Sequence, residues 1–212
     1  MRYSFPMIMP IAIERLWQKT TMWYYKWSTI FLAWLWGVKH GENLVFKGET
    51  IIRTRHSGEI VLGDNVIFNA RQNSNLVGLL GPTIIDTRGG GKIEIGDCSG
   101  FSSVVMSSRS SISIGSNVKV GGNVRIFDHD FHALEPEYRR TNEDKDHIRT
   151  QPIVIGNDVF IGTNVIILKG SQIGARSIVA AGSVILGLDI PPDSMVNGNP
   201  ARIVGQRKSG GN

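Results

Sequence analysis

Single aliphatic residues recur at a fixed interval of six along much of the chain. Between residues 155 and 185 the interval holds without a miss, at Ile155, Ile161, Ile167, Ile173, Val179 and Ile185. The same interval joins Ile114 to Val120 and Ile126, Ile95 to Phe101, and Leu62 to Phe68. The phase slips by one residue between Phe101 and Ile114, and a larger insertion separates Ile126 from Ile155.

A period of six fits neither an α-helix, which repeats every ~3.6 residues, nor a long strand, which repeats every ~2. It is typical of a very short strand followed by a turn, with each aliphatic residue pointing into a common core. Gly, Asn, Asp and Ser fill the intervening positions and tolerate tight turns. An ordinary β-sandwich would show turn signals every ~8 to 12 residues. The pattern therefore predicts an all-β solenoid, a parallel β-helix whose two ends need caps.

The first 39 residues have a different character, because all five tryptophans of the chain lie there. The longest late uncharged run, Trp27 to Val38, has 12 residues, whereas a membrane-spanning helix needs ~20. We therefore predict one or two amphipathic helices. We interpret this segment as a helical cap that covers one end of the core or packs against a neighbouring subunit. The alternative is an interfacial helix that lies on a membrane surface.

Composition narrows the class of protein. The chain has 212 residues, 41% of them hydrophobic, which is enough for a buried core. Its 23 basic and 18 acidic residues give a net charge of +5 and occur along the whole chain, which favours an anionic ligand over nucleic acid. The single cysteine, Cys98, excludes an internal disulfide and favours a reducing compartment. We predict that Cys98 is a small buried residue.

The stretch VRIFDHDFHALE, residues 124 to 135, leaves the repeat after Ile126. It places Asp128 and Asp130 on either side of His129 and a second histidine at 132, a pattern compatible with a metal site, a catalytic base or a polar loop entrance. Residues 133–152 then carry nine charged residues and His147. We predict that this segment is an external loop that shapes a pocket and reaches a neighbouring subunit.

The segment from Ile155 to Val204, with its ending IPPDSMVNGNPARIVG, resembles the hexapeptide-repeat acyltransferases, in particular their sugar O-acetyltransferase branch. The resemblance covers about residues 58–205. It implies a left-handed β-helix and a homotrimer that binds acetyl-CoA in the grooves between subunits, without a metal. It also implies direct transfer of the acetyl group to a hydroxyl of a sugar or polysaccharide precursor.

The resemblance also assigns roles to individual residues. His129 stands where the family has its general base, with Asp128 or Asp130 to orient it and His132 as a second candidate. The backbone N–H of Thr163 would stabilise the oxyanion. The acceptor would meet Ser102 and Ser103, which replace the asparagine of galactoside enzymes.

The predicted acetyl-CoA contacts are Phe160, Gly162, Thr163, Ala180, Ala181 and Arg202, with Lys169, Arg176, Arg207 and Lys208 as weaker phosphate-binding candidates. The chain reads LGLDIPP where relatives commonly have TKDIPP, so the placement of the CoA nucleotide stays open.

Three other functions remain as alternatives. γ-class carbonic anhydrases share the β-helix, but a catalytic zinc site needs three protein ligands, and their histidine spacing is absent here. An N-acyltransferase that acts on an amino sugar is the second alternative. A scaffold without catalytic activity is the third.

The sequence therefore predicts an N-terminal segment, residues 1–45, a β-helix domain, residues 46–205, and a flexible tail, residues 206–212. We expect a bacterial cytoplasmic enzyme of polysaccharide biosynthesis that binds no nucleic acid. Residues 5–38 would account for any peripheral contact with the inner face of the membrane.

Overall fold

The structure, a computed structural model, describes residues 8–72 and 75–206 and consists of one long helix followed by a three-sided solenoid. Residues 1–7 of the predicted N-terminal segment and residues 207–212 of the predicted tail lie outside the described residues. Helix α1 spans Ile8–Leu35. The chain then winds through successive coils, and each complete coil contributes one strand to each of three sheets, named A, B and C.

Sheet A contains β1 (Lys39–His40), β4 (Ile60–Leu62), β7 (Lys92–Ile95), β10 (Ser111–Ile114), β13 (Ile153–Ile155), β16 (Gln172–Ile173) and β19 (Asp189–Ile190). Sheet B contains β2 (Val45–Lys47), β5 (Ile67–Asn69), β8 (Gly100–Ser102), β11 (Lys119–Gly122), β14 (Phe160–Ile161), β17 (Ile178–Val179), β20 (Ser194–Gly198) and β21 (Ala201–Gln206). Sheet C contains β3 (Thr50–Arg53), β6 (Thr83–Asp86), β9 (Val105–Ser107), β12 (Arg125–Phe127), β15 (Ile166–Leu168) and β18 (Val184–Leu186).

All coil-to-coil pairings are parallel, and the antiparallel β21 covers β20 at the C-terminal end. The predicted left-handed parallel β-helix is confirmed. Every residue of the sixfold series is buried, from Leu62 and Phe68 to Val179 and Ile185. Residues of equal phase stack in register, as Ile95, Ile114 and Ile155 do in sheet A.

The phase slip has a structural cause at two corners of one coil. Phe101 and the next core residue, Met106, are five positions apart, and the turn between them passes through Ser103 with a φ of 45°. The following corner is longer: eight positions separate Met106 in sheet C from Ile114 in sheet A, the residue that pairs with Ile95 of the preceding coil. The coil therefore closes with one extra residue in total.

The corner between sheets A and B repeats one backbone conformation in seven coils. One residue at each turn has a φ between 55° and 61°: Asn43, Asn65, Cys98, Asn117, Asp158, Arg176 and Asp193. Asparagine and aspartate adopt this left-handed conformation at low cost. The prediction that Cys98 is buried is wrong, because it occupies this exposed turn position while Ser99 takes the buried place beside it.

Helix α1 covers the first coil with its C-terminal part. Thr29 and Ala33 are buried, and Ala33 joins Val38 and the first-coil residue Phe46 in the hydrophobic core. Most other large side chains of the helix are exposed. In residues 8–72 and 75–206, none of the helices combines the length with the apolar character that a membrane span requires.

Two excursions interrupt the coils. The first, residues 70–82, lies between β5 and β6 in the second coil. The second, residues 128–152, lies between β12 and β13 and contains helix α2 (Pro136–Arg139) and a 3₁₀ helix (Asn142–His147). Each leaves the solenoid at a corner, so the strands on either side remain in register.

Three phenylalanines form a stack inside sheet B, with ring centroids 5.4 Å apart for Phe46 and Phe68 and 5.1 Å for Phe68 and Phe101. We expect Phe68→Ala to lower the free energy of unfolding by about 3 to 5 kcal/mol, because it leaves a cavity between two coils. Phe160 points outward from the same sheet and is 50% exposed, so Phe160→Ala should cost less than about 1 kcal/mol. Urea denaturation at one fixed protein concentration measures both, and equal losses would contradict the packing described here.

Candidate active site

Asp128 begins the second excursion, immediately after β12, and its carboxylate is fully buried. Oδ2 accepts hydrogen bonds from Ser108 Oγ at 2.7 Å and from the backbone N–H of Ser110 at 2.8 Å. Oδ1 accepts one from the N–H of Arg109 at 2.8 Å. These donors lie one coil earlier at the same corner, so the parallel register of sheet C holds the carboxylate in place.

His129 lies beside this carboxylate, with Nδ1 3.0 Å from Asp128 Oδ1. Because a carboxylate only accepts hydrogen bonds, we assign the proton to Nδ1, which leaves Nε2 of the neutral ring as the acceptor. The side chain of His129 is 5% exposed, and the centroid of its ring lies 4.8 Å from that of Phe131. The pair therefore has the arrangement of a general base that is oriented by a buried carboxylate.

The pKa of Asp128 reflects two opposing effects. Burial by itself raises it, but the hydrogen bonds from His129, Ser108 and the backbone N–H groups of Arg109 and Ser110 together lower it below the usual value for aspartate. Asp128 is therefore ionised at neutral pH and can stabilise a positive charge on the imidazole.

Asp130 does not contact the imidazole in this way, although both aspartates were candidates for orienting it. Its Oδ1 forms an ion pair with Lys169 Nζ, and its Oδ2 is buried without a hydrogen-bond partner. Around these residues the excursion is closed by short antiparallel pairing, in which the N–H of Asp130 donates to Arg149 O and the N–H of Gln151 donates to Asp128 O.

The remaining histidines of this region occupy separate environments. The side chain of His132 is 70% exposed and its Nδ1 lies 2.7 Å from Asp144 Oδ2, a hydrogen bond that is the main cause of the lowered pKa of Asp144. His147 stacks on the ring of Tyr138. Across residues 8–72 and 75–206, no group of three or more His, Cys, Asp or Glu side chains is arranged to hold a metal ion.

The residues predicted to contact acetyl-CoA lie together at a different corner, where sheet B meets sheet C in the last coils. Gly162 and Thr163 follow β14, and Ala180 and Ala181 follow β17 directly above them, linked by a hydrogen bond from the N–H of Gly182 to Thr163 O at 2.9 Å. In the next coil, Asn197 occupies the position above Ala180 at this corner, and Arg202 of β21 pairs with Asn197. The aromatic ring of Phe160 is exposed on the outer face of sheet B nearby.

Thr163 presents a backbone N–H at this corner that donates to none of the residues that the structure describes, while its hydroxyl donates to Gly122 O at 2.8 Å. Within one chain, Thr163 and His129 stand at opposite ends of sheet C. At ~3.3 Å per residue along β15 and its flanking turns, they are roughly 15 to 20 Å apart. The two predicted catalytic residues of one chain are therefore too far apart to act on the same acetyl group.

Ser102 and Ser103 also lie at the corner between sheets B and C, away from His129 of the same chain. Ser102 Oγ accepts a hydrogen bond from Asn75 Nδ2 at 3.0 Å, and Ser103 Oγ donates to Gly81 O at 2.7 Å. Both serines thus hold the first excursion against the coils. Asn123, which the sequence did not single out, does the same by accepting from the N–H of Leu80 at 2.9 Å and donating to Gly78 O at 2.9 Å.

Two of the weaker phosphate-binding candidates are engaged elsewhere. Lys169 pairs with Asp130 beside the histidine, and Arg176 forms a two-pronged ion pair with Asp193, at 2.8 and 2.6 Å. Arg207 and Lys208 lie outside the described residues. Ser108 was not among the residues predicted from the sequence. Ser107 pairs with Phe127 in the next coil, so the residues that follow them, Ser108 and Asp128, also lie together.

Comparison with known proteins places this geometry in a family. Residues 152–187 match the family model described as bacterial transferase hexapeptide (six repeats). The chain is 36% identical over 94 residues to galactoside O-acetyltransferase from Escherichia coli, a match that covers 44% of this chain and 43% of that protein. This chain covers less than half the length of that protein and of two other curated relatives that it matches.

Solved structures extend the likeness over most of the chain. A hexapeptide-repeat-containing acetyltransferase from Vibrio cholerae, in complex with acetyl-CoA, is 30% identical, has a TM-score of 0.54, and is matched over 84% of this chain and 74% of its own. An N-acyltransferase from Bacillus cereus, in complex with dTDP and 3-hydroxybutyryl-CoA, has a TM-score of 0.66 at 20% identity, covers 87% and 90% of the two chains, and shows the shared fold alone.

Three-sided parallel coils built on a six-residue repeat define the class of hexapeptide-repeat β-helix proteins. Within that class, this chain belongs to the family of hexapeptide-repeat acetyltransferases.

The lowered pKa of Asp128 predicts how stability depends on pH. The ionised carboxylate stabilises the fold fully above the ordinary aspartate pKa of about 3.9, and this contribution is lost as pH falls through the lower folded-state pKa. We therefore expect Asp128→Asn to be less stable than the wild type at pH 7 and the difference to shrink as the pH is lowered below 4. Urea midpoints across this range measure it. Asp146→Asn, at an exposed carboxylate of the same excursion, is the control, and a constant difference for Asp128→Asn would contradict the prediction.

Proposed function

We propose that this protein is an acetyl-CoA-dependent O-acetyltransferase that acts on a hydroxyl of a sugar or polysaccharide precursor, with His129 as the general base. The observation that carries the proposal is the buried Asp128–His129 pair, at 3.0 Å, on a hexapeptide-repeat β-helix. A core histidine would not need a carboxylate that is itself held by three donors from the preceding coil. Family membership supplies the acetyl donor.

The pair accounts for the chemistry of direct transfer. Nε2 of His129 removes the proton of the acceptor hydroxyl while the oxygen attacks the thioester carbonyl. Asp128 stabilises the imidazolium that forms, and the N–H of Thr163 donates to the oxyanion of the tetrahedral intermediate. The intermediate then expels the CoA thiolate, which accepts the proton from the imidazolium, so that CoA leaves as the thiol and His129 is neutral again. No acyl-enzyme is formed, so Cys98 has no part in the reaction.

The two halves of this site come from different copies of the chain in the proposed homotrimer. His129 lies at one end of sheet C and Thr163 at the other, so a threefold arrangement with sheet C facing the axis brings these ends of adjacent copies together. The outer face of sheet C favours this packing, since its last coils carry two adjoining apolar rows: Ile166 and Val184 in one, and Phe127, Leu168 and Leu186 in the other. The corresponding rows of sheet A are more polar, with Glu94, Ser113 and Gln172 beside Val154.

The corner between sheets B and C suits acetyl-CoA. Turns with small residues, Gly162, Ala180 and Ala181, leave backbone accessible to an extended pantetheine arm, and Phe160 offers an exposed ring beside it. Arg202 is the cation at this corner that forms no ion pair with the described residues, and it supplies a positive charge for a CoA phosphate.

Transfer to the amine of an amino sugar is the second candidate function. An N-acyltransferase is among the structures that share this fold, so amine acceptors are tested as well. The same base would remove the proton of the attacking nitrogen. A panel of sugars, oligosaccharides, sugar nucleotides, lipid-linked glycans and their amino-sugar counterparts, each assayed for CoA release, separates the two. Release with amino sugars alone would replace the hydroxyl acceptor by an amine.

The base assignment predicts that His129→Ala lowers kcat by about 10²- to 10⁴-fold while the Kd for acetyl-CoA stays within a few-fold of the wild type. His132→Ala is the matched control, because that histidine lies three positions away and is exposed. Steady-state kinetics and calorimetric titration with acetyl-CoA make the measurement. An unchanged kcat in His129→Ala would refute the assignment.

The shared site predicts complementation between two inactive variants. His129→Ala lacks the base, and Phe160→Glu places a negative charge at the acetyl-CoA corner. Each mixed trimer regains one intact site, so subunits exchanged at random in equal amounts should recover about a quarter of wild-type activity. The assay compares turnover before and after exchange, with two affinity tags to verify mixed trimers. Mixed trimers without activity would contradict a site formed between copies.

A further inference from the structure

Helix α1 presents an apolar stripe to solvent that the proposed function does not use. At about 100° per residue, the side of the helix opposite the buried Thr29 and Ala33 carries large apolar side chains along more than five turns. Six of them that are each more than half exposed are Leu16, Trp23, Tyr24, Trp27, Phe31 and Trp34, with exposed fractions of 53 to 69%. We call this surface the aromatic stripe.

The aromatic stripe carries no charge. The charged residues between Ile13 and Leu35 are Glu14, Arg15, Lys19 and Lys26, and their helical positions all fall outside the stripe. The hydroxyl of Thr20, within the stripe, donates to Trp17 O at 3.1 Å, and that of Ser28, beyond its edge, donates to Tyr24 O at 2.7 Å. The stripe can therefore enter the boundary of a bilayer without burying a charge, and the Tyr24 hydroxyl and the indole N–H groups can bond water or headgroups there.

Cations lie along one flank of the stripe, between it and the side of the helix that packs on the first coil. Lys19 and Lys26 have helical positions on this flank, and Lys26 lies over the ring of Trp27 at 5.6 Å from the centroid. Arg15 lies beside the flank, in line with Ala33 but about five turns nearer the N-terminus. Charged residues occur along the whole chain, but the excess of basic over acidic residues is concentrated near the N-terminus. Residues 1–60 contain eight basic and four acidic residues, so four of the five net positive charges belong to this end.

We propose that the aromatic stripe docks this protein on the surface of an anionic lipid bilayer, with α1 lying in the plane of the interface. Tryptophan and tyrosine favour the boundary between lipid headgroups and acyl chains. The flanking lysines and arginine reach the anionic headgroups while the stripe enters the boundary. A second copy of the chain would match the apolar rings but gives no role to the cations, so a lipid surface is the partner that fits both.

Intrinsic fluorescence and flotation test this proposal on the full chain. Because all five tryptophans lie between residues 17 and 36, their emission reports on α1 directly. We expect a blue shift and flotation with vesicles of equal parts phosphatidylcholine and phosphatidylglycerol, and weaker binding to pure phosphatidylcholine. Failure of both signals with the mixed vesicles would overturn the proposal.

Two variants separate the apolar from the electrostatic contribution. Phe31→Glu keeps every tryptophan and should weaken vesicle binding by about 10- to 100-fold, since it removes one large apolar side chain that the bilayer would cover. Substituting Arg15, Lys19 and Lys26 together by glutamine should weaken binding to the mixed vesicles by about 100-fold and leave binding to pure phosphatidylcholine unchanged. Val204→Glu adds the same charge at an apolar residue, 62% exposed, in the final strand, and should bind as the wild type does.

The outcome is independent of the proposed acetyl transfer. Phe31→Glu should keep the wild-type turnover of a soluble acceptor, because Phe31 lies in the helix, away from both halves of the site. Sedimentation of the wild type and Phe31→Glu without lipid tests the other occupant. A larger assembly that Phe31→Glu abolishes, together with no vesicle binding, would replace the lipid surface by a second copy.

Discussion

Hydrogen bonding between the backbones of successive coils is the constraint on which the rest of this structure depends. Strands of only two to six residues have few side chains with which to hold themselves in place. They persist because strands of the inner coils pair in parallel with the coil below and the coil above, and because apolar residues of equal phase stack on one another in the core. Irregular segments are accommodated at corners, where an excursion leaves and returns without shifting the ladder.

The same constraint positions the candidate chemistry. Asp128 is the first residue after a strand of sheet C, so the register places it above Ser108 and the N–H groups that follow, and these donors keep it ionised although it is buried. His129 is then fixed by the carboxylate. A catalytic pair at this corner gains rigidity from the solenoid, whereas a pair carried by the excursion alone would depend on a surface segment.

An open end is the cost of a solenoid, and this chain closes its first coil with a helix. The C-terminal part of α1 is committed to that role through Thr29 and Ala33. The rest of the helix extends beyond the area that needs covering, and its outer face is too apolar for a surface whose function is only to face water. One element therefore joins the closure of the fold to a second surface, with a chemistry unlike that of the site.

The limits of the sequence are clearest at individual residues. Cys98 looked like a buried residue, yet the corner between sheets A and B needs a residue with positive φ at that position, and Ser99 fills the core instead. Asp128 and Asp130 are indistinguishable as letters beside His129. They differ only because one faces the donors of the preceding coil and the other faces Lys169 of the following coil.

The six-residue period was enough to predict the architecture, because it marks the strand, the turn and the core position of each side along the chain itself. It also singled out the group of residues in which we propose that the chemistry lies, since DHDFH stands where the repeat breaks. Which of these residues contact one another could be read only from the folded coils. The corners differ in length and two excursions interrupt the coils. The number of residues between two positions therefore does not tell which residue lies above which in the next coil. For the same reason, only the fold revealed that His129 and Thr163 stand at opposite ends of one sheet.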